Sequence, residues 1–117
     1  MSELHGRYAT YAAALRDGVL GPAGQTPADL RRAVVARAAR LGGGADRMDA
    51  PAVPETLAGY VDTVARHAYK VTDEDLAGLL RAGNSEDALF EVTVAAALGA
   101  ALGRLERGLA ALRGPLR

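Results

Sequence analysis

Apolar residues recur every three or four positions along most of this chain, and the longest such pattern spans Ser85 to Leu112. Gly83-Asn84 is typical of a helix end, Ser85 is a favourable N-cap, and acidic residues follow it where the helix dipole favours negative charge. At about 100° per residue, the larger apolar side chains share one broad face: Phe90, Val94, Leu98, Ala101, Leu102, Leu105, Leu109 and Leu112. The pattern predicts a long C-terminal helix around which the other elements pack.

A second strip of this helix consists of small residues, with Gly99 and Gly103 one turn apart. Glycine inside a helix costs about 1 kcal/mol relative to alanine, so two of them suggest that another backbone passes close by. That backbone belongs either to a neighbouring helix of the same domain or to a second subunit. Gly99 and Gly103 are therefore our candidate interface residues. Charged residues interrupt the stretch before an apolar run reaches about 20 residues, so we expect no membrane span.

Four shorter amphipathic segments precede this helix. The first, Ser2 to Val19, places on one face Leu4, Tyr8, Tyr11, Ala12, Leu15 and Val19. The second begins at a Thr26 cap with Pro27 as its first residue and runs to about Leu41. Its inward residues are expected to be Leu30, Val34, Ala38 and Leu41, with Arg31, Arg32, Arg37 and Arg40 on its other sides.

The third segment begins at Pro54-Glu55 and continues to about Tyr69, with an apolar face of Leu57, Val61, Val64 and Ala68. Thr72 is the predicted cap of a short fourth segment, which three leucines are expected to bury: Leu76, Leu79 and Leu80. Short loops between consecutive helices favour antiparallel neighbours. We therefore predict an all-α fold, with about five helices in an antiparallel bundle and one long C-terminal helix.

Composition adds limits to this picture. The 117 residues suit one domain, in which residues 1–20 form an N-terminal helix and residues 26–117 form the core. Half of the residues are apolar but only 4% are aromatic, so leucine, valine and alanine must build the core. The formal net charge is zero, which argues against a nucleic-acid partner. We also expect no membrane partner, and a cytoplasmic protein because the N-terminus lacks a signal pattern.

The absence of cysteine restricts the chemistry further. It excludes disulfides, thiolate catalysis, zinc–thiolate sites and iron–sulfur clusters. The chain also lacks a His-x3-His pair, a calcium loop and a glycine-rich phosphate loop. The sequence therefore predicts no metal site and no cofactor.

The C-terminal half resembles the alkylhydroperoxidase D-like proteins, which belong with the carboxymuconolactone decarboxylases. The resemblance rests on a capped helix start, a short helix, a turn and a long helix in this order: Val71-Thr72-Asp73-Glu74-Asp75, Leu79, Ala82-Gly83, Ser85-Glu86-Asp87, Phe90-Glu91 and Arg104-Leu105. It implies an all-helical, oligomeric protein with sites between subunits. The peroxidases of this family carry a Cys-x-x-Cys pair with a nearby histidine, whereas the corresponding region here, Gly42 to Pro54, has neither residue. Reduction of hydroperoxides by a dithiol is therefore excluded, while acid–base chemistry of the decarboxylase type stays open.

The densest cluster of polar and aromatic residues lies around His67. An imidazole that titrates near neutral pH can act as a general acid or base. Glu91 projects from the apolar face of the long helix, so its carboxylate must be paired, hydrogen-bonded or protonated. Our candidate catalytic residues are His67, Glu91 and Tyr69, and Tyr60 and Lys70 are candidate substrate-binding residues. Three of these residues also have a structural explanation: His67 and Lys70 as cations at a helix end, and Glu91 as part of an ion pair.

Two functions follow from these residues. In the first, the chain is a non-redox, alkylhydroperoxidase-like structural subunit that packs against a copy of itself or a related helical chain. In the second, it is a small cofactor-independent decarboxylase or isomerase that binds a small molecule and uses His67 with Glu91. The sequence favours the first function, because the spacing of His67 alone does not separate a site from a helix end.

Overall fold

The computed structural model describes residues 2–21, 24–44 and 50–113. The side chains of residues 2–5 and 8 lie outside this description, so the predicted positions of Leu4, His5 and Tyr8 are not described. The described residues form five α-helices, one 3₁₀ turn and no strand: α1 Ser2–Leu20, α2 Ala28–Leu41, α3 Glu55–His67, the turn Ala68–Lys70, α4 Asp73–Arg81 and α5 Glu86–Arg113. The predicted all-α class with one long C-terminal helix is confirmed.

Capping side chains set the starts of α4 and α5. The Thr72 hydroxyl accepts a hydrogen bond from the Asp75 amide at 3.1 Å, and the Asp75 carboxylate accepts one from the Thr72 amide at 3.0 Å. The Ser85 hydroxyl likewise accepts from the Ala88 amide at 3.0 Å. These two caps are as predicted. The cap predicted at Thr26 is wrong, because Pro27 is the N-cap of α2 and the Thr26 side chain binds Glu91 instead.

The core lies where α2, α3 and α5 meet. Its largest fully buried side chains are Val34, Val35, Val61 and Val92. Gly99 and Gly103 face α2: a Cβ added at Gly99 would collide with the Val35 carbonyl oxygen, and one at Gly103 with that of Ala39. The close backbone that these glycines imply therefore belongs to the same chain. This placement differs from the subunit interface expected from the sequence, because both glycines are already covered by α2.

The order of these contacts also fixes helix direction. Along α2, Val35 lies against Gly99 and Ala39 lies against Gly103, so α2 and α5 run the same way. α3 does so too, because Tyr60 bonds Thr93 and the Ala65 carbonyl accepts from Arg104 further along α5. The expected antiparallel neighbours are therefore not found among these three helices. The physical reason is that the connections between them are long enough to return the chain to its starting end.

An ion pair between Arg37 and Asp62 joins α2 to α3. Arg37 donates from Nε and Nη2 to the two carboxylate oxygens of Asp62, at 2.5 Å and 2.8 Å. The hydrogen bond from Arg37 holds the pKa of Asp62 below its usual range, and Asp62 in turn raises the pKa of Arg37. Both side chains are about one-third exposed, so the pair closes the rim of the core.

The first and fourth helices are packed less tightly. On α1, Tyr11 and Leu15 are 60% and 58% exposed. Among its described side chains, those that pack against the core are Val19 and Leu20 at its C-terminal end. On α4, Leu76 and Leu79 are half-buried, and Leu80 is exposed. The expectation that the leucines bury this helix is therefore wrong for Leu80. These two helices cover the outside of a three-helix centre.

The long helix α5 turns its small residues toward the core and several of its large ones toward solvent. Its buried positions are Leu89, Val92, Ala95, Ala96, Gly99, Ala100 and Gly103. By length and composition alone α5 could cross a membrane, since its most apolar stretch has a mean hydropathy of 1.5. A core helix of a soluble protein meets the same criterion, and 39% of this stretch is buried inside the chain.

Candidate functional site

Glu91 lies at the junction of α5 with the segment that leads into α2. Its carboxylate accepts hydrogen bonds from the Gln25 amide at 2.6 Å, the Thr26 amide at 2.9 Å and the Thr26 hydroxyl at 2.6 Å. A carboxylate held by several donors is stabilised in its charged form. These bonds, with a smaller contribution from Arg31, lower the pKa of Glu91 to about 2. The group is therefore a firmly ionised acceptor.

Arg31 completes this polar junction from α2. It is 3% exposed, which is unusual for arginine unless the side chain is paired. Its two terminal nitrogens donate to the Val19 carbonyl at 2.6 Å and the Thr26 carbonyl at 3.3 Å, and its Nε lies 4.0 Å from Glu91. The junction thus ties the ends of α1, α2 and α5 together. Its contacts satisfy Glu91 within the chain, which is what a structural carboxylate requires.

His67 is the last residue of α3. Its ring packs edge-on against Tyr69, with ring centroids 5.8 Å apart. His67, Tyr69 and Lys70 are all exposed, and Tyr69 keeps 80% of its surface in solvent. These three candidates therefore do share one corner, but it is an open surface.

The structure does not bring His67 and Glu91 together. The Ala65 carbonyl, two residues before His67, accepts from Arg104 of α5 at 2.6 Å. Arg104 follows Glu91 by 13 positions, which corresponds to about 20 Å along a helix. The two groups also face different neighbours, since Glu91 contacts the start of α2 and Arg104 contacts α3. The acid–base pair of the second function is thus not assembled in this chain, and that function stays a prediction.

Tyr60 lies apart from this corner, in a shallow groove between α3, α4 and α5. Its hydroxyl is 2.5 Å from that of Thr93, which also donates to the Leu89 carbonyl at 2.6 Å. The groove has a volume of about 370 Å³ and is lined by Tyr60, Leu76, Leu80, Glu86, Leu89, Phe90 and Thr93. Its walls are largely apolar and its hydroxyls already bind each other. The candidate substrate-binding residues Tyr60 and Lys70 do not share this groove.

The most extended unpaired feature is an apolar stripe on the outer side of α5. We define the α5 stripe as the seven exposed residues spaced 4, 3, 4, 4, 3 and 4 positions apart: Phe90, Val94, Ala97, Ala101, Leu105, Gly108 and Leu112. Phe90 and Leu112 are 69% and 62% exposed. A Cβ added at Gly108 would meet nothing within 4 Å. Val94 and Leu105 are each 38% exposed, and Val94 lines a small pocket with Gly18 and Val19 of α1. The stripe is therefore most open at its two ends.

Sequence reasoning missed two parts of these sites. The sequence predicts an outer face for Arg31, yet Arg31 is buried. The available signal is that Glu91 needs a cationic or hydrogen-bonding partner. The sequence predicts a cap at Thr26, because a threonine before a proline at a helix start is typical of one. Neither residue type in itself indicates a partner so far along the chain, 65 residues from Thr26 to Glu91.

Comparison of the chain with protein families, with curated proteins and with solved structures finds no match. Among the described residues, no group of three or more histidines and carboxylates is placed to hold a metal ion. Any function proposed for this chain therefore rests on its own sequence and geometry.

Proposed function

We propose that this protein is a structural subunit of a helical oligomer and that it associates through the α5 stripe. The single observation that carries the proposal is the exposure of all seven stripe residues on a helix whose other side forms the core. Contiguous apolar patches on a soluble protein typically mark interaction sites. The resemblance to alkylhydroperoxidase D-like proteins, whose members are oligomeric, supports the same function.

The size of the stripe also supports this role. From Phe90 to Leu112 it covers 22 helical steps, or about 33 Å. A partner helix laid along it would remove two large side chains, Phe90 and Leu112, from water at its ends. Aromatic side chains bury a large area and often dominate interface energetics. We therefore expect Phe90 to contribute most to association.

The experiment is sedimentation velocity of the purified chain over a wide concentration range. We expect the wild type to form a discrete oligomer, and Phe90→Ser to weaken association by roughly tenfold or more in Kd. Tyr69→Ser is the matched control, because it removes an aromatic side chain that is 80% exposed but lies off the stripe. A wild type that stays monomeric at high concentration would overturn the proposal, as would equal effects of the two variants.

A further inference from the structure

We infer that two copies of this chain pair through the α5 stripe as antiparallel helices, with Ala101 on the two-fold axis. The inference rests on the proposed function, because it specifies the geometry of the same interface. It follows from the spacing, the side-chain volumes and the charges of α5.

The spacing of the stripe is symmetric about its centre. Ala101 is the fourth of the seven positions, and the intervals of 4, 3 and 4 residues are the same on either side of it. When one copy of the stripe is reversed against another about Ala101, every position therefore meets a position of the partner. The average interval, about 3.7 residues, is close to one helical turn, so the stripe stays on one side along its length.

The paired residues also complement one another in volume. Reversal about Ala101 places Val94 of one copy opposite Gly108 of the other, and Ala97 opposite Leu105. The centre is an alanine facing an alanine, and the ends are Phe90 facing Leu112. Large residues facing small ones allow two helices to pack closely without voids. A parallel arrangement would instead face Gly108 with Gly108 and Phe90 with Phe90.

The charges at the ends of α5 favour the antiparallel arrangement. The first turn carries Glu86 and Asp87, both exposed, and the last turn carries Arg113. In the antiparallel pair the acidic turn of each copy lies beside the basic turn of the other, at both ends. The helix dipoles are then opposed as well. In a parallel pair, like charges would be adjacent at both ends, which disfavours it.

Gly108 is consistent with this pairing. It lies within a helix, where glycine is less favourable than alanine. Gly99 and Gly103 are explained by their contact with α2, but a Cβ at Gly108 would meet open space. No contact within the described chain requires a glycine there. The pairing places the partner's Val94 opposite Gly108, where a larger residue would obstruct the contact. Helical glycines with open space around them also occur at Gly6, Gly18 and Gly59, so the inference rests on the spacing, volumes and charges of the stripe.

The test uses single cysteines, since the chain has none of its own. Ala101→Cys and Val94→Cys are each treated with a short bis-maleimide while the protein is in its associated form. The two Ala101→Cys thiols should be joined efficiently, because they meet on the axis. The two Val94→Cys thiols should not be joined, because antiparallel pairing separates them by 14 helical steps, or about 21 Å.

Each outcome separates the geometry from the proposed function. Cross-linking at both sites would indicate parallel pairing. Cross-linking at neither site of a confirmed oligomer would indicate a different interface. Either result overturns the antiparallel pairing but not the proposed function. A wild type that is monomeric overturns the proposed function itself.

A second measurement compares Gly108→Leu with Gly59→Leu, since a Cβ at Gly59 also meets nothing within 4 Å. We expect only Gly108→Leu to raise the Kd, by roughly tenfold, and equal effects would overturn the pairing.

Discussion

Glu91 illustrates how a single residue can hold three elements together. Its carboxylate accepts from the backbone before α2 and lies beside Arg31, whose nitrogens reach the end of α1. Removing such a carboxylate destabilises a fold mainly because its hydrogen-bond donors and its cationic neighbour then have no acceptor. The consequence for function is that the Glu91 carboxylate is occupied in folding, which leaves it poorly suited to proton transfer near neutral pH.

The first prediction concerns the pH dependence of stability. The pKa of Glu91 falls from 4.5 to about 2 on folding, because Thr26 and Gln25 donate to its charged form. Since the folded-state pKa is the lower one, its stabilisation is complete above pH 4.5 and is lost as the pH falls toward 2. Glu91→Gln should lower the free energy of unfolding at pH 7 and flatten this loss. Urea unfolding followed by circular dichroism from pH 7 to pH 2 measures both effects.

The control for this prediction is Glu55→Gln. Glu55 is an exposed carboxylate in the first turn of α3, with no ion pair or hydrogen bond among the described residues. Glu55→Gln should change the free energy of unfolding little, and the pH dependence of its stability should follow that of the wild type. A Glu91→Gln profile as steep as the wild type between pH 4.5 and 2 would contradict the assignment.

At the scale of elements, two contacts decide how the central helices pack. α2 and α5 approach closely because Gly99 and Gly103 have no side chains to separate them. α2 and α3 are joined at their rim by Arg37 and Asp62. The α2–α5 contact leaves no room for an added atom, whereas the Arg37–Asp62 pair is partly exposed to water. We therefore expect substitutions at the α2–α5 contact to destabilise the fold much more than loss of the ion pair.

The second prediction tests the close approach of α2 and α5. Gly103→Ala should lower the free energy of unfolding by about 2–3 kcal/mol, because its Cβ would strike the backbone of Ala39 and force the helices apart. Gly59→Ala is the same chemical change on α3 where the added Cβ meets open space, and it should raise stability by up to about 1 kcal/mol. Thermal and urea unfolding compare the two variants. Equal effects would show that α2 and α5 do not touch at Gly103.

The third prediction concerns the ion pair between α2 and α3. Asp62→Asn should cost about 0.5–1 kcal/mol, because a bidentate pair at one-third exposure is worth more than a surface pair. Glu74→Gln removes a pair with Arg81 in which both side chains are more than half exposed, and it should cost close to nothing. Urea unfolding at low and at high salt measures both changes. The idea fails if salt weakens the wild type and Asp62→Asn to the same extent.

At the scale of the whole molecule, stability should be uneven. α2, α3 and residues 89–103 of α5 share the buried core, while the described side chains of α1 that pack against it are Val19 and Leu20, and α4 buries none of its residues. Elements with few buried contacts open at low free energy. We therefore expect α4 and the first half of α1 to open at lower free energy than the centre.

The fourth prediction follows from this division. Hydrogen exchange measured by mass spectrometry should find the slowest exchange in α2 and in residues 89–103 of α5. Exchange should be faster in α4 and in the first half of α1, where Tyr11 is 60% exposed. The comparison is made at a protein concentration where the chain is monomeric, so that association does not protect α5. Uniform protection across all helices would contradict the division into centre and cover.

The sequence by itself determined the helices and many of their ends. Capping residues such as Thr72 and Ser85, glycine helix ends and apolar periodicity act within a few residues, so they are visible in the chain. The absence of cysteine and of a metal-binding pattern likewise needed no structure. The candidate sites were less accessible, because each depends on residues that are far apart in sequence.

Only the tertiary structure decided which side of α5 is buried. Both sides of α5 are apolar, so periodicity cannot predict which one is buried. α2 packs against the side with the small residues, because only there can the backbones of α2 and α5 come into contact. Tertiary structure also decided that α2, α3 and α5 run in one direction, and that Glu91 meets Thr26 rather than His67. Local signals define elements, whereas the contacts between elements depend on shape and distance across the whole fold.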